Sequence, residues 1–220
     1  ALVVPIEVAC PPIAMTNLDA LSPIVVALRD AGAVGTEESL LAAYGVHINA
    51  EIPRLDAPTV FSYLAAFSLL QWWLVDAHAV DSSRKMSTYI RLYSEEYVKQ
   101  LLSRPSPDMD EIFDLYLRYN ASRNHALDML PLLAEIDDNQ VRRAVDDPNI
   151  KPRPAFHYRM PNCNIERKDW SLADSWNIWW VVEQLSDRPD DLEDLSTAFF
   201  AADRPFIGVS RKGWIEFIEQ

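Results

Sequence analysis

"AFHYRMP", residues 155–161, alternates apolar and polar side chains and stops at a proline. Successive side chains of an extended strand point to opposite faces, so Phe156, Tyr158 and Met160 share one face and His157 and Arg159 the other. Pro161 ends the pairing because it has no amide hydrogen to give. "AAYGVHINAE", residues 42–51, repeats the pattern, with Val46 and Ile48 on one side and His47 and Asn49 on the other. "ALVVPIEVACPP", residues 1–12, reads as a third, more apolar strand that carries Glu7 and stops at Pro11–Pro12. Strands with one polar face, separated by long helical stretches, predict an α+β chain: a curved, mostly antiparallel sheet with helices packed on one face.

The connecting stretches supply the helices. Thr16 and Asp19 have capping-box spacing for a helix running to about Arg29 and ending at Gly32, with Pro23 near its start. Asp56 is placed to cap a helix over about 57–80, apolar nearly all round and therefore expected to be the most buried helix. Further helices are expected at about 87–102, 109–120 and 124–135, with a short one near 138–146. The proline-punctuated "DDPNIKPRP" then leads into the 155–161 strand. Ser171 and Asp174 form a second capping box ahead of "LADSWNIWWVVEQL". The tail holds one more helix, the segment "RPFIGV" and a terminal turn. No repeat divides the chain, so residues 1–220 are taken as a single domain.

Composition narrows the function. The formal net charge of −13 repels phosphate backbones, and no Lys/Arg-rich tract overrides it, which argues against nucleic acid as a partner. A hydrophobic fraction of 49% with seven tryptophans is ample for a packed core. Two distant cysteines, Cys10 and Cys163, exclude a disulfide-dense secreted scaffold. The most apolar run, residues 59–80, is interrupted by serine, glutamine, aspartate and histidine, so no membrane span is expected, and the N-terminus lacks the basic-then-apolar pattern of a signal peptide. The expectation is a soluble cytoplasmic protein.

The residues able to do chemistry fall on the polar strand faces. Glu7, His47 and His157 converging on one sheet would suit a divalent cation: magnesium or manganese with phosphate, or zinc if the geometry closes to four ligands. Arg159, two residues from His157, has the planar fork that grips a phosphate or carboxylate with two hydrogen bonds. The plain alternatives are a polar face turned to solvent, and an Arg159 tied to a buried carboxylate for structural reasons. "YNASRNHALDMLP" crowds Arg123, Asn124, His125 and Asp128 at an expected helix start, where His125 and Asp128 would stand at i, i+3. On chemistry alone, an ordinary solvated helix N-terminus is the favoured reading of that cluster. Arg84 lies in "DSSRKMSTY", a loop position where an arginine can clamp an anion but where a surface arginine is the default; His78 reads as structural or as a favourable charge at a helix C-terminus.

Taken in order, "PIEVACPP", "LRDAGA", "GVHIN", "DSSR", "SRNHALDM" and "FHYRMP" resemble the amidoligases, carboxylate–amine ligases of the glutamine synthetase and glutamate–cysteine ligase superfamily, over about residues 3–185. The resemblance implies a curved antiparallel sheet whose concave face holds ATP, Mg2+ or Mn2+, and the acid to be activated. It makes Glu7 and His47 metal ligands, with His157 where many members have a metal-binding glutamate. Asn49 stands at the nucleotide side, where a histidine is common. Arg159 would steady the transferring phosphoryl group, Arg123 would bind substrate or phosphate, and Arg84 is a weaker match to a substrate-side arginine. The implied function is an ATP-dependent, ADP-forming ligase that joins a small-molecule or peptide carboxylate to an amine through an acyl phosphate. The alternatives are a degenerate binding protein that keeps the fold, or another ATP-using member of the superfamily. The paired-glutamate strands usual at the start of the family are not found ahead of Glu7. A removed segment, a partner chain or a homo-oligomer is expected to supply them if catalysis is retained.

Overall fold

The helix over residues 57–77 organises everything else. The computed structural model describes residues 7–36, 45–85 and 90–220. A short 3-10 helix (Met15–Leu21) runs into α1 (Ser22–Asp30), followed by α2 (Ala57–Ala77), α3 (Ser82–Lys85), α4 (Glu95–Leu102) and α5 (Met109–Asn120). Next come β1 (Leu127–Asp128), α6 (Leu130–Ala144), β2 (His157–Tyr158), α7 (Leu172–Ser186), α8 (Pro189–Ala202), the hairpin β3 (Asp203–Arg204) and β4 (Gly208–Val209), and α9 (Arg211–Ile218). The Asp56 side chain accepts from the Thr59 amide and starts α2, which carries more buried residues than any other described helix. Its length and composition would suffice to cross a membrane, contrary to the expectation from sequence, but 67% of its most apolar window is buried inside the protein. The helix α7 packs along it, and the Trp214 indole of α9 donates to the Leu69 carbonyl (2.8 Å).

The strand regions form one irregular ribbon beside α2. Residues 45–51 pair antiparallel with 155–162 (Gly45 opposite Asn162, Ile48 opposite Tyr158, Glu51 opposite Ala155). On the far side of that segment, β1 pairs antiparallel with β2, setting Leu127 opposite Tyr158 and Asp128 opposite His157. A parallel bridge between Arg91 and His125 extends the ribbon by one more segment. The alternation is as the sequence predicts. Phe156 and Tyr158 are fully buried against Tyr63, Phe67 and Trp179, which belong to α2 and α7. The other face carries His47, Asn49, His157 and Arg159.

Several expectations are corrected. Residues 7–14 have no regular structure, and the rest of the first predicted strand lies outside the described residues. The Thr16–Asp19 capping box does not form; Pro23 in the first turn fixes the start of α1 at Ser22 instead, and Gly32 closes the turn with φ +80°. The helix expected at 87–102 begins only at Glu95, capped by Ser94, and residues 86–89 lie outside the described part. Residues 124–128 are strand and bridge rather than helix. The helices expected at 124–135 and 138–146 are one element from Leu130 to Ala144, kinked at Asp137 (φ −148°, ψ 92°). The terminal turn is the helix α9. The Asp108–Glu111 and Ser171–Asp174 capping boxes both form, and they start α5 and α7.

Candidate functional site

The polar face of the ribbon is built around Asp128. Its register opposite His157 puts a fully buried carboxylate (0% exposed) beside two donors. Asp128 Oδ2 lies 3.4 Å from His157 Nδ1 and 3.3 Å from Arg159 Nη2. Its other oxygen accepts from the Leu130 amide (3.1 Å), the first amide of α6, from the position before the N-cap Met129. His157 Nε2 in turn stands 3.3 Å from His47 Nδ1, the two rings meeting edge to face. The chain Asp128–His157–His47 therefore leads from the interior to the exposed His47 ring.

Both nitrogens of His157 are engaged. Nδ1 faces Asp128 and is also 3.2 Å from Arg159 Nη2. In one tautomer the ring donates from Nδ1 to Asp128 and accepts at Nε2 from His47. In the other it accepts at Nδ1 from Arg159 and donates from Nε2 to His47. Burial lowers the pKa of His157, opposed by Asp128 and reinforced by Arg159. His47 is also held below the ordinary histidine value, first by loss of water around its inner side, then by the cost of charging it beside the His157 ring, and by the positive charges of Arg159, Arg84 and Arg153. Both rings are neutral near neutral pH. Burial likewise lowers the pKa of Arg159, against the pull of Asp128, and leaves the guanidinium charged.

Beside this chain is an open cavity of about 290 Å³ lined by Ala121, Ser122, Arg123, Asn124, Val145, Asp147 and Arg159. Arg159 is 7% exposed, and its buried Nε has no hydrogen-bond partner among the described residues. Arg123 faces the same cavity, 3.5 Å from Asp147. Two guanidinium groups on one concave wall suit a carboxylate or phosphoryl group. At the lower edge of ordinary ligand sites in volume, the cavity accommodates such a group rather than a whole nucleotide.

The residues singled out from sequence thus divide. His47, His157 and Arg159 meet, and Arg123 joins Arg159 at the cavity. Asn49 is exposed on the same ribbon and accepts from Arg153 Nη2 (3.0 Å). Glu7 is exposed in the irregular segment and does not complete a ligand set with the histidines; among the described residues no group of three His, Cys, Asp or Glu side chains could hold a metal ion. The reason is geometric: His157 spends both ring nitrogens on protein partners, so the histidines form a relay rather than a claw. Among the described residues, these side chains do not by themselves form a site for the magnesium or manganese expected from the resemblance. Arg84 is buried and turned away from the cavity wall. It donates to the carbonyls of Arg159 (2.6 Å), Met160 (2.7 Å) and Pro161 (2.6 Å). His125 packs against Tyr93 and does not bond to Asp128.

Asp128 is the member that sequence reading misplaced. Reading 124–135 as helix made it a solvated first-turn acid. The signal that locates it is Pro131, which favours the first turn of a helix and so sets the start of α6 after Asp128.

With this geometry in place, comparison with known proteins adds one finding. The chain belongs to the amidoligase family: the family model described as "putative amidoligase enzyme" matches residues 1–181. No curated protein and no solved structure matches it.

Proposed function

We propose that this amidoligase-family chain is an ATP-dependent carboxylate–amine ligase acting through an acyl phosphate, and that Arg159 and Arg123 hold the anionic reacting group. The observation that carries the reading is the pair of guanidinium groups on one small cavity beside a neutral histidine relay. A carboxylate is a poor electrophile, so one of its oxygens attacks the γ-phosphorus of ATP and the bond to the β-phosphate oxygen breaks, releasing ADP. The amine lone pair then attacks the acyl carbon, and phosphate leaves with the electrons of the broken carbon–oxygen bond. The fork of Arg159 is suited to two equatorial oxygens of the group in transfer. His47, neutral and open to solution, takes the proton lost by the amine. An anion seated on Arg159 would offset the positive charges that hold the His47 pKa down, so the ring gains basicity when substrate is bound. No step is routed through a metal ion, since these residues do not form a site for one.

Hydroxylamine tests the reading, because it captures acyl phosphates from any acid as hydroxamates. With ATP, magnesium salt and a panel of carboxylates, ADP and hydroxamate should appear in equal amounts. Arg159→Lys should lower that rate about 100-fold if its role resembles that of other preorganised donors. Release of AMP and pyrophosphate would refute the acyl-phosphate route. Failure of the folded protein to bind ATP would reduce the fold to a binding scaffold.

A further inference from the structure

Among the buried arginines of the described residues, Arg84 is the one that the proposed chemistry leaves unexplained. It is 3% exposed, and it donates to carbonyl and amide oxygens, with the charge of Asp81 nearby. Its acceptors are consecutive in the chain: the carbonyls of Arg159, Met160 and Pro161, with the Asn162 side-chain oxygen (3.4 Å) beyond them. Asn162 is itself tied to the end of α2, through its amide to the Ala79 carbonyl (3.0 Å) and through its oxygen to the Asp81 amide (3.2 Å). Across the ribbon, Gly45 pairs with Asn162, and any Cβ there would collide with the Arg84 guanidinium.

A buried cation is costly to hold, and a structural clamp for a strand end could use neutral donors at lower cost. Keeping a full charge here has a different consequence. The charge stands behind the histidine pair and depresses the pKa of His47, as do Arg159 and Arg153. Carbonyl oxygens satisfy its donors, and Asp81 offsets only part of its charge, so the remainder adds to the positive potential that meets an incoming anion. The same bonds fix the backbone directly at Arg159, two residues from His157.

We propose that Arg84 is a positioning residue of this site. Its guanidinium sets where Arg159 and His157 stand, and its positive charge raises the site's affinity for anions. The proposal rests on the reading of Arg159 as an anion-binding residue. Arg84→Lys keeps the charge, but a single ammonium cannot span carbonyls that two guanidinium nitrogens reach at once. Inorganic phosphate binding, measured by calorimetry, should weaken about tenfold or more in Arg84→Lys, because displaced binding groups lose affinity steeply. In imidazole-detected NMR the His157 ring signals should shift, while the thermal midpoint stays near that of the parent protein. Unchanged phosphate affinity together with unchanged ring signals would overturn the proposal. If Arg84→Lys does not fold, Gly45→Ala, which displaces the same guanidinium by one methyl group, decides by the same two readouts. If the parent protein binds no phosphate, the anion-binding reading falls. The ring signals then decide the positioning role separately: a shift sustains it and no shift ends it.

Discussion

Replacing Asp128 by asparagine separates the structural from the chemical roles of the site. The substitution keeps shape and an oxygen able to accept from the Leu130 amide, but removes the charge facing Arg159 and His157. Asp128 is 0% exposed, so no water replaces the charge lost between His157 and Arg159, although Arg159 (7% exposed) keeps an edge on the open cavity. Breaking a buried ion pair by removing one member costs about 3–5 kcal/mol, because the remaining charge stays buried without compensation. For a chain of this length each kcal/mol moves the thermal midpoint by about 2–4 °C, so the expected fall is roughly 6–20 °C. Urea unfolding followed by circular dichroism gives the free energy directly. The companion is the double variant Asp128→Asn with Arg159→Met, which keeps the acceptor for the Leu130 amide. Removing both charges of a buried pair is often neutral, so its stability should return to within about 1 kcal/mol of the parent protein. It should nevertheless lose phosphate binding, because the guanidinium is gone. An Asp128→Asn variant within about 0.5 kcal/mol of the parent protein, the effect of an ordinary surface substitution, would refute the buried-pair account. A double variant that binds phosphate normally would show that Arg159 serves only as a counter-ion.

Leu69→Ala should cost about 2–5 kcal/mol in urea unfolding, since Leu69 is 1% exposed on α2 and the cavity left cannot close fully; a loss below about 1 kcal/mol would show that α2 is not the core helix. Stability should also fall as the medium is acidified. Burial, with the charge of Arg84, lowers the pKa of His78 from 6.5 to about 3, so below pH 6.5 the unfolded chain takes up a proton there that the native one refuses. That contribution is complete above pH 6.5 and drains away toward pH 3, by at most about 1.4 kcal/mol per pH unit. Between pH 6.5 and 5, above the range of ordinary carboxylates, His78→Leu should flatten the stability profile relative to the parent protein, and identical slopes would contradict the burial of a neutral ring.

What the sequence revealed of this protein was what short-range physics controls. Strict alternation in 155–161 put His157 and Arg159 on one face and Phe156 and Tyr158 on the other, because a strand gives side chains only two directions. The capping at Asp56 and Ser171 was legible because it needs only neighbours three residues away. Arg84 was not legible in this way. A charged residue among serines has the composition of a surface loop, and its carbonyl partners lie 75–77 positions further along the chain. The misplaced elements share a more local cause. Prolines 23, 58, 131 and 189 each sit in the first turn of a helix, where the missing amide hydrogen costs nothing. Read as a disturbance inside a helix, Pro23 leaves the Thr16–Asp19 box as the start, and Pro131 read as helix interior carries its helix back over 124–128. Taken as a start marker, Pro23 overrules the Thr16–Asp19 box. Pro131 likewise releases residues 124–128 from the helix. Once Asp128 is free to be strand, an acid two residues before the start of a helix can face a neighbouring strand and accept from the first amide of that helix at the same time. The buried carboxylate that holds Arg159 then follows from one residue of punctuation, whereas the pairing that selects His157 as its neighbour comes only from the fold.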